Sequence, residues 1–180
     1  MAWVADLLTA SRVILALVVG IAVSVDSWGV AIIVLLVAWS TDLLDGIIAR
    51  ASSGETRLGD WDFRVDVTLG IAILIGLSVS GRGPLLLVAA LIVLLAGWTW
   101  VTGNPAPAML MMAVAYGWFL PVLFLDKPTY WWLPFVAIPI ILSLDWRRFF
   151  TIILPAFFKG LARLSAEESA DSVPVLDEWA

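Results

Sequence analysis

The chain has 180 residues, 62% of them hydrophobic, with a mean hydropathy of +1.03 and a net charge of −5. Soluble domains sit near about 45–50% apolar, so this composition excludes an ordinary water-soluble globule and predicts an all-α integral membrane protein. No cysteine is present, which excludes disulfides and thiol chemistry, and no histidine, which removes the usual general base and the commonest metal ligand.

The first apolar run, residues 5–25, has no basic residue ahead of it and carries Asp6, so it reads as a span rather than a cleaved signal peptide. Five further apolar runs follow at 28–49, 62–80, 84–101, 106–125 and 128–144. A span needs about 20 apolar residues, and six of them use up the chain to residue 145. The breaks are short and carry Gly, Pro, Asn or charge, as turns do. The longest, "RASSGETRLGDW", is also the most charged. Trp3, Trp28, Trp98, Trp100, Trp131, Trp132 and Trp146 fall near span ends and read as lipid-interface anchors.

Residues 146–165 change pattern. Arg148, Thr151, Pro155, Lys159 and Arg163 form one helical stripe, with Phe149, Phe150, Ile153, Leu154, Phe157 and Leu161 on the other side. This suits a C-terminal amphipathic helix in the membrane interface, or one packed on the bundle. Residues 166–180 hold five of the fifteen acids and read as a solvated, disordered tail. With six spans both termini share a side. That side holds Arg12, Arg50, Arg57, Arg64, Arg147, Arg148, Lys159 and Arg163, against Arg82 and Lys127 opposite. The positive-inside rule then places both termini in the cytoplasm of a multi-pass protein of the cell membrane.

The chemistry concentrates in "TDLLDGIIAR" at the end of the second span and "DWDFRVD" at the start of the third. At 100° per residue, Asp42 and Asp45 lie about 60° apart, with Gly46 and Ala49 within about 40° of Asp42. The face therefore has charge and room. Asp62 and Asp66 stand about 40° apart on the third helix, continued by Leu69, Ile73 and Gly76. Ionisable groups in a membrane helix are costly and need neutralising. Oxygen-only ligands favour Mg²⁺, Ca²⁺ or Mn²⁺, and two such cations would offset four carboxylates. On the first span Thr9, Arg12, Ala16 and Gly20 share a face whose small residues permit close helix approach. Arg12 suits either a phosphate or the aspartates as partner.

Asp42-x-x-Asp45-Gly46-x-x-Ala49-Arg50, followed after eight residues by Gly59, Asp62 and Asp66, resembles the signature of the CDP-alcohol phosphatidyltransferases. "LLTASRVILAL" resembles their N-terminal Leu-Thr-x-x-Arg pattern, and the likeness covers about residues 7–76. It implies a six-helix fold, usually a homodimer, with two Mg²⁺ or Mn²⁺ ions on Asp42, Asp45, Asp62 and Asp66. It implies a CDP-linked lipid as donor, an alcohol as acceptor, CMP as the leaving group and Asp66 as the base. Gly46 and Ala49 would make room for the nucleotide, and Arg12, Arg50, Arg57 and Gly59 would belong to the CDP and phosphate site. Membrane lipids are the surroundings, and no nucleic-acid partner is expected.

The chain departs from the family in detail. Only Asp60 and Trp61 separate Gly59 from Asp62, where the family has three residues; Phe63 and Val67 stand where Pro and Lys are frequent; and "TGNPAPA" after the fourth span has no basic residue. The first motif is most like the glycerophosphate branch, which makes glycerol 3-phosphate the first acceptor to test. Two other readings compete: a family member without catalysis that binds nucleotide-lipid or a partner, and a small cation transporter.

Overall fold

A computed structural model describes residues 2–51, 62–127 and 129–165; the side chains of residues 2–6, 45–51, 62, 141–142, 144–148, 161 and 163–165 are outside that description. Every regular element among the described residues is helical: α1 (Ala2–Ser24), α2 (Trp28–Ala51), α3 (Asp62–Val79), α4 (Leu85–Thr102), α5 (Ala106–Asp126), α6 (Trp132–Arg148), a π-helical turn (Phe149–Ile153) and α7 (Leu154–Ser165). The first five fall within a few residues of the apolar runs, because apolar length and turn residues are local signals. The left-handed Gly103 (φ 67°) ends α4, its N–H closing on Thr99 O at 2.9 Å, and Pro105 opens α5. The sixth starts at Trp132 rather than 128 and runs on to Arg148, past the expected boundary at 145.

Among the described residues three helices are long and apolar enough to cross a membrane: α1 over Leu7–Ser24, α4 over Leu85–Thr102 and α5 over Ala106–Asp126. α2 carries Asp42, Asp45 and Arg50 in its last three turns, and α3 opens with Asp62, Arg64 and Asp66. The outward surface is apolar as well. Leu86, Trp100 and Val101 of α4 are more than 80% exposed, a surface suited to lipid rather than water.

α1 packs along both α2 and α3, α3 also meets α5 and α4, α6 lies on α2, and α7 reaches α5. The core between α1, α2, α3 and α5 is fully buried Val19, Val23, Ile32, Leu35, Ile73, Leu74, Leu77, Met111 and Phe119. The α1–α3 contact is close enough to touch backbone. A Cβ on Gly76 would lie 2.7 Å from Gly20 O and 2.9 Å from Val23 Cβ, and one on Gly20 would lie 3.0 Å from Ala72 O. Small residues at this crossing let the helices approach, as the spacing on α1 predicts.

At the end of the bundle away from the aspartates, Arg82 ties three connections. Its guanidinium bonds Asp26 after α1 at 2.6 Å and Asp126 at the end of α5 at 3.0 Å, and lies 5.0 Å from the centre of the Trp28 ring. Trp28 Nε1 donates to Asp26 at 3.0 Å, and the Trp28 ring meets Phe119 at 5.6 Å. Trp28 is therefore not a lipid-interface anchor: it is 2% exposed. Its ring packs on Phe119 inside the bundle and its indole N–H finds the Asp26 carboxylate at the bundle end, so it has no need of the headgroup region. Trp98, Trp100, Trp131 and Trp132 are exposed, as anchors are, while the side chains of Trp3 and Trp146 lie outside the described residues.

α7 docks at the opposite end, where α5 begins. Gly160 is buried there, with Asn104 Nδ2 donating to its carbonyl at 3.2 Å and a Cβ on it meeting Ala106 Cβ at 2.6 Å. Phe158 and Lys159, just before it, remain exposed.

Candidate active site

Three helices converge at the α1-start end of the bundle. Arg12 of α1 is 2% exposed, and its Nη1 bonds both Asp42 Oδ1 of α2 and Asp66 Oδ1 of α3, each at 2.5 Å. The two oxygens share one nitrogen, so they are at most 5.0 Å (twice 2.5 Å) apart. The crossing below explains the level. α1 and α3 run in the same direction, and Gly20 sits between Ala72 and Gly76. Arg12 is eight residues before Gly20, and Asp66 is eight before the midpoint of Ala72 and Gly76. Close approach at the glycines thus brings arginine and aspartate to one height. Thr9, one turn before Arg12, is buried at 3%, and Ala16 at 2%, so the predicted polar face of α1 does turn inward.

The carboxylates differ from the arginine in exposure. The Asp42 side chain is 52% exposed and that of Asp66 28%, above a guanidinium that is all but buried. The pair therefore shares one positive charge from below, which offsets half its charge, and is partly exposed above. Two carboxylates this close and partly exposed are oxygen donors of the kind that a hard divalent cation takes. Among the described residues no group of three acidic side chains gathers. The side chains of Asp45 and Asp62, the other half of the expected set, lie outside those residues, as do those of Gly46, Ala49 and Arg50. Their backbone continues α2 to Ala51, and Asp62 opens α3. Arg57 and Gly59 lie outside the described residues entirely. Helical geometry keeps Asp45 about 60° from Asp42 and Asp62 about 40° from Asp66. The shortened spacing before Asp62 has not turned Asp66 away, because Asp66 reaches the guanidinium that Asp42 reaches.

Arg12 is the residue whose role the sequence left open, and the structure pairs it with the aspartates. One further pair beside the site escaped the sequence reading. Trp39 Nε1 of α2 donates to the Tyr116 hydroxyl of α5 at 3.3 Å, with the rings edge to face at 5.5 Å. A lone tyrosine in an apolar span carries no motif. The only signal was that Trp39 stands one helical turn from Asp42, well inside its span rather than at the end.

No curated protein and no solved structure matches the chain. A model of the CDP-alcohol phosphatidyltransferase family matches residues 2–154, and the chain belongs to that family of membrane transferases of substituted phosphate groups, which generally use divalent metal ions.

Proposed function

We propose that the chain transfers the phosphatidyl group of CDP-diacylglycerol to an alcohol and releases CMP. The observation that carries this reading is the convergence of Asp42 and Asp66 on Arg12 at one end of an apolar bundle. A membrane helix does not hold charged groups at such a level without use for them. Asp42, Asp45, Asp62 and Asp66 would hold two divalent cations, Mg²⁺ or Mn²⁺. When bound, these supply positive charge for the diphosphate oxygens of the donor.

The remaining work falls to the chain itself. Arg12 holds two carboxylates together that would otherwise repel, and so keeps the cation site assembled. Gly46 and Ala49 would make room beside Asp42 for the nucleotide, and Arg50, Arg57 and Gly59 would belong to its phosphate side. Asp66 takes the proton of the acceptor hydroxyl. The oxygen so freed bonds to the lipid-side phosphorus as the bond from that phosphorus to the CMP oxygen breaks. The electron pair leaves with CMP, and the proton stays on Asp66 until solvent removes it. Six spans place this end at the cytoplasmic leaflet, with both termini cytoplasmic, residues 1–145 as the catalytic bundle, 146–165 as an interfacial segment and a homodimer as the assembly.

The test is CMP release from CDP-diacylglycerol by purified protein with Mg²⁺ or Mn²⁺, across a panel of alcohols that begins with glycerol 3-phosphate. Folded protein that releases no CMP with any acceptor refutes the reading.

A further inference from the structure

Trp39 precedes Asp42 by three residues on α2, about 4.5 Å along the axis and on the side away from the open end. The Trp39–Tyr116 bond therefore lies one turn deeper in the bundle than the carboxylates. On the α3 side the crossing agrees. Gly70, one turn past Asp66, packs on Met112 and Ala115, the residue next to Tyr116. α2 and α5 share no extended packing of their own, so the two aromatic side chains bridge a gap between them.

The direction of that hydrogen bond is settled by chemistry. An indole has a donor and no acceptor, so the phenol oxygen accepts and its own hydrogen is left unspent. No acceptor for it stands among the described residues. A polar hydrogen held between helices calls for a partner. The carboxylate level is where the proposed function puts the diphosphate of the donor. One turn toward the bilayer centre is where the glycerol of that donor must pass, since its acyl chains run into the apolar core.

Resting on that function, we propose that Tyr116 is a positioning residue: its hydroxyl, oriented by Trp39, donates to a glycerol ester oxygen of the CDP-linked lipid. It would thereby distinguish a lipid-linked donor from the free nucleotide.

The experiment uses full-length protein in nanodiscs with Mg²⁺ and compares Tyr116→Phe with the parent. The variant keeps the ring and its packing and loses only the hydroxyl. Affinity for CDP-diacylglycerol is expected to fall about tenfold, with KM rising more than kcat falls. Affinity for CDP alone, and the melting temperature, are expected to hold. Trp39→Phe, which frees the phenol to rotate, is expected to shift KM the same way by less. Equal loss for CDP and CDP-diacylglycerol, or no loss for either, overturns the assignment while the parent's turnover leaves the proposed function standing. A parent protein that neither binds nor turns over CDP-diacylglycerol overturns both.

Discussion

Replacing Arg12 with glutamine removes the charge that lies between Asp42 and Asp66 while keeping a polar side chain of similar reach. The structure sets the size of the effect. The two Oδ1 atoms are at most 5.0 Å apart. At an effective dielectric of about 20, unit charges at this distance repel by about 3 kcal/mol. Both carboxylates are partly exposed, which argues for that dielectric and against the larger values of a dry interior. For a chain of this size the loss corresponds to a fall of about 6–12 °C in Tm. The assay is thermal unfolding of solubilised protein, followed by the fluorescence of its 11 tryptophans, in EDTA and in Mg²⁺. The fall is expected in EDTA. Mg²⁺ should raise the Tm of Arg12→Gln by more than that of the parent, because the cation takes over the neutralisation. Adding Asp42→Asn to Arg12→Gln should recover stability without metal, since the Asp42–Asp66 repulsion is then gone. If Arg12→Gln melts with the parent in EDTA, or Mg²⁺ restores nothing, the reading of Arg12 as the resident counter-charge is wrong.

Gly76→Ala should destabilise by about 1–3 kcal/mol, because the new methyl meets Gly20 O and Val23. Gly117→Ala, which meets nothing within 4 Å, should leave the Tm level or raise it, a contrast that thermal melts will read. At the far end, the Trp28 indole and the Arg82 guanidinium hold the Asp26 carboxyl below its ordinary value of 3.8. A depressed folded pKa gives stability that is present above the unfolded value and lost as pH falls through the folded one. Arg82→Gln should therefore be less stable than the parent at neutral pH, with the gap closing in acid below 3.8, as a pH series of melts would show. Gly160→Val should lift α7 off Ala106 and speed tryptic cleavage after Lys159, while the melting of the bundle changes little.

Much of the molecule could be read from local pattern. Helix ends followed from where apolar runs meet Gly, Pro and charge, and the first five agree with the structure to within a few residues. The inward face of Thr9, Arg12, Ala16 and Gly20 followed from spacing alone. The family was legible too, because its signature strings acids and small residues at helical intervals within a short stretch. Trp28 was misread for an equally plain reason. Its position at a span end matches an interface anchor, and only Asp26, Arg82 and Phe119 around it make it a core residue. Tyr116 was silent, since its meaning depends on Trp39, 77 residues away.

Composition and periodicity by themselves determine an apolar helical chain with two acidic helix ends, because hydropathy and the 100° step are properties of each segment. Which charges meet is a property of pairs. Arg12 finds Asp42 and Asp66 across 30 and 54 residues. That meeting depends on the height and rotation at which α1, α2 and α3 pack, set at the α1–α3 crossing by Gly20 and Gly76. Tertiary structure alone decided that the arginine is the buried floor beneath two open carboxylates, because only backbone contact between α1 and α3 brings them level.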